Sequence, residues 1–256
     1  DTTNVVTGEI AIITSIGLDH QETLGDSLVA IAEQKAGIFK PGKSAVITNL
    51  EPEAQLVCQK TATDLGVSFY QADQDFSFRN GNFSSSLADF NHLILGLEGA
   101  YQEENAALAL QAFLLFMAQR NEKVDQEAVR AALQATKWAG RLEAVTEHIY
   151  LDGAHNLPAL ERLVEFIQEK IQQGYQPHIL FGALKRKNYS GMLTYLTEHL
   201  PDVALYVTSF DYQGSLEEQD FGDYTSIASY RDFIDNFEAS AQEKDLLFVT
   251  GSLYFI

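Results

Sequence analysis

A short stretch in the second half of the chain combines residue types that can bind a polar ligand. The segment IYLDGAHNLPAL predicts a strand that ends at Asp152, followed by Gly153, which lets a ligand approach the backbone, and by a helix that Asn156 and Pro158 open. The carboxylate and the imidazole of His155 would then lie at the carboxyl end of a strand, where open α/β sheets bind ligands. Ordinary turn chemistry explains the same residues, so both interpretations stay open here.

A second group of candidate residues lies near the start of the chain. Asp19 and His20 follow a predicted strand directly, and His20 is either a metal ligand or a surface histidine. Lys35 lies seven residues after Leu28 and four after Ile31, on the apolar face of a predicted helix. An ammonium group is costly to bury. Lys35 therefore either extends its charged end into water or is a desolvated neutral amine, available for chemistry or modification.

The stretch GIFKPGKS, residues 37–44, matches the pattern of a phosphate-binding loop. Such a loop works only where it follows a strand and opens a helix, because the helix N-terminus and backbone N–H groups bind the phosphates. Here a predicted helix precedes Gly37 and a predicted strand follows Ser44. We therefore predict that this stretch is a helix end and a turn, not a phosphate site.

Two runs of alternating strands and helices would position these residues. The first run predicts strands at EIAIITSIG, SAVITN and VSFYQA, with helices at DSLVAIAEQKAG and EPEAQLVCQKTATDLG between them. Asp26 is the predicted N-cap of the first helix, and Gly37 is its predicted C-terminal glycine. A hairpin at FSFRNGNFSSS, a strand at HLILGL, a long helix at QEENAALALQAFLLFMAQR and a shorter helix at 126–136 follow.

After the stretch TKWAGRLEA, strands and helices alternate again to the end of the chain. Strands that are separated by helices of this length predict right-handed crossovers and a parallel sheet. The length of 256 residues also fits two α/β domains, which would meet near Gly140.

Composition restricts the function classes. The formal net charge of −19, without a basic stripe, argues against nucleic acid or an anionic membrane as a partner. The single cysteine, Cys58, rules out an internal disulfide framework and is consistent with a reducing cytoplasm; we interpret it as a small core residue. No apolar window has the length that a membrane span needs. The start at Asp1, which runs almost at once into a strand, suggests an internal start of a longer natural protein.

Five motifs together resemble one known family. ITSIGLDHQETLGDSLVAIAEQKAGIFKPG, YQEENAALAL, AGRLE, LDGAHN and TGSLY are similar to the folylpolyglutamate synthase/dihydrofolate synthase group of the Mur ligase superfamily. The resemblance runs from about Asn4 to the C-terminus, and its first motif and LDGAHN are the most specific. It implies an ATP-dependent ligase that phosphorylates a folate or dihydropteroate carboxylate to an acyl phosphate, which the amine of L-glutamate then attacks.

The resemblance implies a role for each matching residue. His20 would be a ligand of one of two Mg²⁺ ions, and Lys35 would be the carbamylated lysine that acts as an anionic ligand on the metal side. Asn105 would hydrogen-bond the adenine of ATP, Arg141 would reach the ATP phosphates, and Asp152 would bind the ribose hydroxyls.

Two further residues receive weaker assignments from the resemblance. His155 would lie over the active-site cleft in a catalytic role that is left unassigned, and Ser252 would contribute to the glutamate side. The resemblance also implies a monomeric enzyme with small-molecule substrates, while the composition predicts a cytoplasmic protein with no nucleic acid or membrane partner.

The predicted fold class is α/β: the remainder of a Mur-ligase-like central ATPase domain, residues 1–138, followed by a Rossmann-like C-terminal domain with a mainly parallel sheet, residues 139–256. The family's phosphate loop, its metal-binding glutamate and much of its folate site lie upstream of the segment that matches Asp1. We therefore expect uncovered strand edges in the first domain, and we expect that the chain alone does not turn over ATP.

Two departures from the family pattern are local. Ala139 replaces the family's proline before the Gly-Arg pair. Arg186-Lys187-Asn188 replace the family's acidic-lysine-acidic run, so the resemblance predicts no ligand contact for this second loop. Two alternatives stay open: another Mur-type amide ligase, and a non-catalytic α/β module that binds a nucleotide or an amino acid. The choice between dihydrofolate synthase, folylpolyglutamate synthase and both also stays open.

Overall fold

The structure is a computed structural model that describes residues 2–17 and 27–256 of the chain. It divides into two compact units. The first unit contains the chain up to Gly96 together with Ala100–Thr136, and the second contains Leu97–Gly99 together with Lys137–Ile256.

One half of the first unit is a three-stranded parallel sheet with helices. Its elements, in chain order, are β1 (Ile10–Ile13), α1 (Leu28–Ala36), β2 (Ser44–Ile47), α2 (Pro52–Leu65) and β3 (Ser68–Gln71). The strand order is β1-β2-β3. β1 is an edge strand in this order, and its Ile12 is 40% exposed.

The start of α1 differs from the prediction. Ser27, not Asp26, is the N-cap, because the backbone of Ser27 is extended and its hydroxyl accepts the Ala30 N–H at 3.2 Å. Asp26 itself lies outside the described residues. Gly37 caps the C-terminus in a right-handed conformation (φ −58°). Because α1 precedes residues 37–44 and β2 follows, the prediction that GIFKPGKS is not a phosphate loop is confirmed.

The other half of the first unit contains an antiparallel sheet and two helices. Its elements are β4 (Phe76–Arg79), β5 (Asn82–Ser85), β6 (Asp89–Phe90), α3 (Tyr101–Gln119) and α4 (Gln126–Ala135). The predicted hairpin is confirmed, since Asn80 and Gly81 connect β4 and β5 with positive φ angles of 50° and 73°.

The strand predicted at HLILGL is wrong. The backbone N–H of Leu93 donates to Gly81 at 2.7 Å, and that of Gly96 donates to Leu133 at 3.0 Å. The segment is therefore bonded to a hairpin turn and to the end of α4, not to a neighbouring strand. Leu93 is buried and Ile94 is 62% exposed, and local sequence cannot distinguish this apolar run from a strand.

The second unit is built on a six-stranded sheet. Its elements are β7 (Glu143–Ala144), β8 (Ile149–Leu151), α5 (Leu157–Gln172), β9 (Gln176–Phe181), α6 (Tyr189–His199), β10 (Ala204–Thr208), β11 (Thr225–Ile227), α7 (Tyr230–Ser240) and β12 (Asp245–Thr250). The strand order is β11-β10-β9-β12-β8-β7, and only the β7–β8 pair is antiparallel. The predicted mainly parallel α/β sheet is confirmed, although β7 and β11 have no counterpart in the sequence analysis.

The topology of the second unit brings several loops to one edge of its sheet. β8, β9 and β12 are adjacent and parallel, so the residues that follow them lie at the same carboxyl edge. Asp152 follows β8, Gly182 follows β9 and Gly251 follows β12. This is the edge at which α/β sheets of this kind bind ligands.

Two composition-based interpretations are also tested by the structure. Cys58 is fully buried in the core between α2 and the parallel sheet, and this burial raises the pKa of its thiol to about 11. Cys58 is therefore a neutral core residue, as predicted. Among the helices of residues 2–17 and 27–256, none is long and apolar enough to cross a membrane.

Candidate functional site

Asp152 is a buried carboxylate at the carboxyl edge of the second unit's sheet. Its backbone N–H donates to Val249 at 3.0 Å, which extends the β8–β12 ladder by one residue. The residue is 6% exposed. Its Oδ2 accepts the Leu142 N–H at 3.0 Å, and its Oδ1 accepts the Ala154 N–H at 2.9 Å. Both carboxylate oxygens are therefore held in place by the backbone.

Burial decides the protonation chemistry of this carboxyl group. Loss of water around the charge raises the pKa of Asp152 above its usual value. The N–H groups of Leu142 and Ala154, and electrostatic interaction with the side chains of Arg141 and His155, lower the pKa of Asp152 but do not cancel that effect. The ionised form of Asp152 is consequently under-solvated, so an additional hydrogen-bond donor from a ligand would stabilise it.

Hydrogen bonds join the segment AGRLE to the segment LDGAHN. The Gly153 N–H donates to the Gly140 carbonyl at 2.8 Å, and the Gly140 N–H donates to Glu143 at 2.8 Å. Leu142, which is 3% exposed, has a φ of 45°, a conformation that a leucine rarely adopts. This strained residue directs its N–H to Asp152, and backbone strain of this kind concentrates at functional sites.

Arg141 and Leu253 lie directly over Gly153. A Cβ atom at position 153 would be 2.2 Å from Leu253 Cδ2 and 3.2 Å from Arg141 Nη1. The first distance is shorter than any van der Waals contact, so a side chain at 153 would displace Leu253. The absence of a side chain at Gly153 thus lets the guanidinium of Arg141 come close to the end of β8, next to the Asp152 carboxylate.

His155 is half-buried and has a defined tautomer. Its Nδ1 lies 2.8 Å from the Gly153 carbonyl oxygen, which can only accept, so Nδ1 carries the proton. In the neutral ring, Nε2 is then a hydrogen-bond acceptor and a base. Asn156 accepts the Ala159 N–H at 2.9 Å and caps α5, as the sequence predicts.

Ser252 lies in the turn that follows β12. It is 3% exposed, and its hydroxyl oxygen accepts the Tyr254 N–H at 3.2 Å. Its carbonyl accepts the Phe255 N–H at 3.0 Å. The side chain therefore shapes the turn, and its own O–H hydrogen remains a donor that a ligand could use.

The first unit contains two of the predicted site residues. Lys35 is half-buried in the last turn of α1, on the side of the helix where Ile31 is fully buried. Asn105 is exposed near the start of α3, and its Nδ2 donates to Oε1 of the buried Gln102 at 2.9 Å. His20 lies outside the described residues.

Arg141, Asp152 and His155 are therefore brought together within the second unit, and Ser252 lies at the same edge of its sheet. The described part of the chain does not bring three or more His, Cys, Asp or Glu side chains close enough to hold a metal ion.

The loop that departs from the family pattern has local structural functions. Asn188 caps α6 by accepting the Gly191 N–H at 3.1 Å. The preceding Lys185 pairs with Glu217 at 3.0 Å and with Asp220 at 3.1 Å. These contacts hold the segment after β9 against the acidic loop that follows β10.

Comparisons with known proteins point to one family. No family model matches the chain. A dihydrofolate synthase/folylpolyglutamate synthase of Bacillus subtilis is 33% identical over 278 residues, which cover 100% of this chain and 63% of that protein. A folylpolyglutamate synthase of Lacticaseibacillus casei is 31% identical over 80% of this chain and 50% of its own length.

The fold matches solved structures of the same kind. A complex of FPGS (folylpolyglutamate synthase) with AMPPCP and folate superposes with a TM-score of 0.81 at 27% identity, over 100% of this chain and 61% of that one. The chain thus spans about three fifths of the length of the first relatives that it matches from end to end. The regular elements of both units match those of these proteins.

Proposed function

Because the chain belongs to the folylpolyglutamate synthase/dihydrofolate synthase family, we propose that the protein, at its natural length, is an ATP-dependent ligase. It adds L-glutamate to the carboxylate of folate or dihydropteroate through an acyl phosphate. The observation that supports this most is the buried carboxylate of Asp152, with the guanidinium of Arg141 close to the adjacent Gly153, in a chain that aligns from end to end with such synthases. The two residues provide one acceptor and one cation at a ligand-binding edge.

A negatively charged group would bind the ribose of ATP, and a positively charged group would bind its phosphates. The ionised carboxylate of Asp152 accepts hydrogen bonds from the two ribose hydroxyls, which supply the donors that its burial lacks. The guanidinium of Arg141 binds the phosphates and stabilises the charge that develops during phosphoryl transfer. The side chain of Asn105 offers an amide oxygen and a second N–H to the edge of the adenine.

The chemistry takes place in two steps. The substrate carboxylate attacks the γ-phosphorus of ATP, ADP leaves, and an acyl phosphate remains. The amine of L-glutamate then attacks the acyl carbon, inorganic phosphate leaves, and the amine loses a proton as the amide forms. His155 takes that proton on Nε2, which its contact with Gly153 leaves unprotonated in the neutral ring. Ser252 donates its hydroxyl hydrogen to a glutamate carboxylate.

Magnesium is proposed as the metal, and its assignment depends on the family resemblance alone. His20 would be a ligand of one ion, and carbamylated Lys35 would supply an anionic ligand. When bound, the metal would neutralise charge on the transferring phosphoryl group. Lys35 is half-buried in the last turn of α1, and its amine is the group that would carry the carbamate.

The remaining proposals concern partners and location. The net charge of −19 supports a protein without nucleic acid or anionic membranes as partners. We propose a monomer in the cytoplasm that acts on ATP, L-glutamate and a pterin substrate. The choice between dihydropteroate and folate as the acceptor depends on the pterin site.

The role of Asp152 can be tested through its protonation. Ribose binding needs the ionised carboxylate, so affinity for ATP is expected to fall as the pH is lowered through the raised pKa of Asp152. Asp152→Asn is expected to weaken binding about tenfold at neutral pH, because an amide accepts less strongly than a carboxylate. Isothermal titration from neutral to mildly acidic pH measures both effects.

Dividing the ATP affinity of the parent protein by that of Asp152→Asn at each pH removes the effect of the titration of ATP itself. That ratio should be largest at neutral pH and should decrease as the pH is lowered. A ratio near one at every pH would exclude Asp152 as the ribose ligand and would remove the main support for the proposed function.

A further inference from the structure

Thr250 has a buried hydroxyl group that the structure leaves without a partner. It is the last residue of β12 and is 0% exposed. Its backbone is bonded normally, since its carbonyl accepts the Gly182 N–H at 2.9 Å. Its Oγ1, however, makes no hydrogen bond to any described residue. A buried polar atom of this kind costs folding free energy and is rare in native proteins, so it needs a physical reason.

The sheet places Thr250 beside Asp152. Phe248 and Val249 of β12 pair with Tyr150 and Leu151 of β8, and the Asp152 N–H bonded to Val249 continues that register. The next neighbour of Thr250 on this side is therefore Asp152. Because side chains on adjacent parallel strands alternate in step, both side chains are on the same face of the sheet.

The other ladder neighbour cannot satisfy the hydroxyl. On the β9 side, Thr250 pairs with Phe181, whose side chain is fully buried and has no polar atom. Of the two residues that flank Thr250 in the sheet, only Asp152 has a side chain that can accept a hydrogen bond. Its carboxylate oxygens each accept one backbone N–H and have lone pairs for more.

We propose that Thr250 is a positioning residue for the nucleotide site, whose hydroxyl donates to the Asp152 carboxylate when the ribose is bound. This inference depends on the proposed function, because it assumes that Asp152 binds the ribose. This hydrogen bond holds the carboxylate ionised and oriented, so that its remaining lone pairs face the two ribose hydroxyls.

The Thr250 hydroxyl would then increase the affinity for ATP and lower the stability of the protein without nucleotide. Two substitutions separate these effects. Thr250→Val keeps the shape and replaces the unpartnered hydroxyl by a methyl group, so the midpoint of thermal unfolding without nucleotide is expected to stay equal or to rise. Thr250→Ser keeps the hydroxyl and loses a buried methyl group, so that midpoint is expected to fall.

The two substitutions are expected to affect ATP affinity in the reverse order: the variant with the higher unfolding midpoint should bind ATP more weakly. Thr250→Val should weaken ATP binding about tenfold, because it removes a hydrogen bond to a charged group. Thr250→Ser should bind ATP nearly as well as the parent protein. Isothermal titration and thermal unfolding of the protein at its natural length measure both quantities.

The pH profile distinguishes positioning from a general packing effect. A hydrogen bond to the carboxylate lowers the pKa of Asp152, so its loss in Thr250→Val should move the pH at which ATP affinity is lost to a higher value. A purely structural role would weaken binding equally at every pH. An unchanged pH profile would therefore overturn the proposal, even where the affinity falls.

Three further results would separate a failure of the Thr250 proposal from a failure of the proposed nucleotide site. A Thr250→Val variant that unfolds earlier and binds ATP normally would show that a buried water satisfies the hydroxyl, and it would overturn the proposal. If Asp152→Asn weakens ATP binding and Thr250→Val does not, only the positioning role fails. If Asp152→Asn has no effect, the proposed nucleotide site fails with it.

Discussion

Replacing Lys35 by alanine is expected to abolish glutamate ligation while ATP affinity stays within about twofold, below the effect of one lost hydrogen bond. Under the proposed assignment, the amine of Lys35 would react with carbon dioxide, release a proton and become a carbamate, which would supply an anionic metal-side ligand. Alanine cannot form that group. Ligation of labelled glutamate to dihydropteroate or folate, measured with nucleotide binding in parallel, separates the two effects.

Lys43→Ala is the matched control for this experiment. Lys43 lies in the same region of the chain, but it forms an exposed ion pair with Glu9 at 2.7 Å, a kind of contact that contributes little. The control should retain full activity. Added short-chain carboxylates should restore part of the activity of Lys35→Ala, because they can occupy the place of the carbamate. Normal ligation by Lys35→Ala would refute the assignment of Lys35.

Replacing Arg141 by alanine is expected to have the second large effect, a fall in kcat of about a thousandfold. The guanidinium lies over Gly153 and beside Asp152, where it can meet the charge that develops on the transferring phosphoryl group. Arg141→Lys should recover only part of the rate, since an ammonium lacks the planar fork of donors. Steady-state kinetics with ATP as the varied substrate measures both variants.

The matched control is Arg162→Ala. Arg162 lies on the surface of α5 in the same unit and pairs with Glu165 at 3.3 Å. Its loss should leave kcat unchanged. If Arg141→Ala raised KM for ATP and left kcat unchanged, Arg141 would bind the ground state only, and its role in phosphoryl transfer would be wrong.

Much of the fold could be predicted from local sequence signals. The hairpin at Asn80-Gly81 and the helix that Asn156 opens depend on residues that act within a few positions, and the structure confirms both. The parallel sheet of the second unit follows from the alternation of strands and helices. The errors arose where distant residues decide the structure, as at Leu93, whose partner is the turn at Gly81.

The candidate site could be predicted only in part for the same reason. The motif LDGAHN identified Asp152 and His155 because a strand end and a helix start surround them. It could not show that Leu142 adopts a positive φ to reach Asp152, or that Thr250 lies beside that carboxylate. These features depend on the pairing of β8 with β12, whose residues are nearly a hundred positions apart. The functional roles assigned to all of the site residues stay predictions: His20, Lys35, Asn105, Arg141, Asp152, His155 and Ser252.

The buried Asp152 illustrates how stability and function are opposed in this unit. Its carboxylate is under-solvated, Leu142 is strained towards it, and the Thr250 hydroxyl beside it has no partner among the described residues. Each of these features costs folding free energy in the unliganded protein. Under the proposed function, a bound ribose would supply hydrogen-bond donors to the under-solvated carboxylate.

The most direct test of the proposed ligase mechanism follows an oxygen atom. The protein at its natural length is incubated with ATP, L-glutamate and a pterin substrate whose reacting carboxylate carries a heavy oxygen isotope. An acyl phosphate intermediate predicts that one labelled oxygen leaves with the inorganic phosphate, which mass spectrometry detects, and that ADP and the glutamate adduct form in equal amounts. Unlabelled phosphate alongside the adduct, or ADP formation without any adduct, would contradict the mechanism.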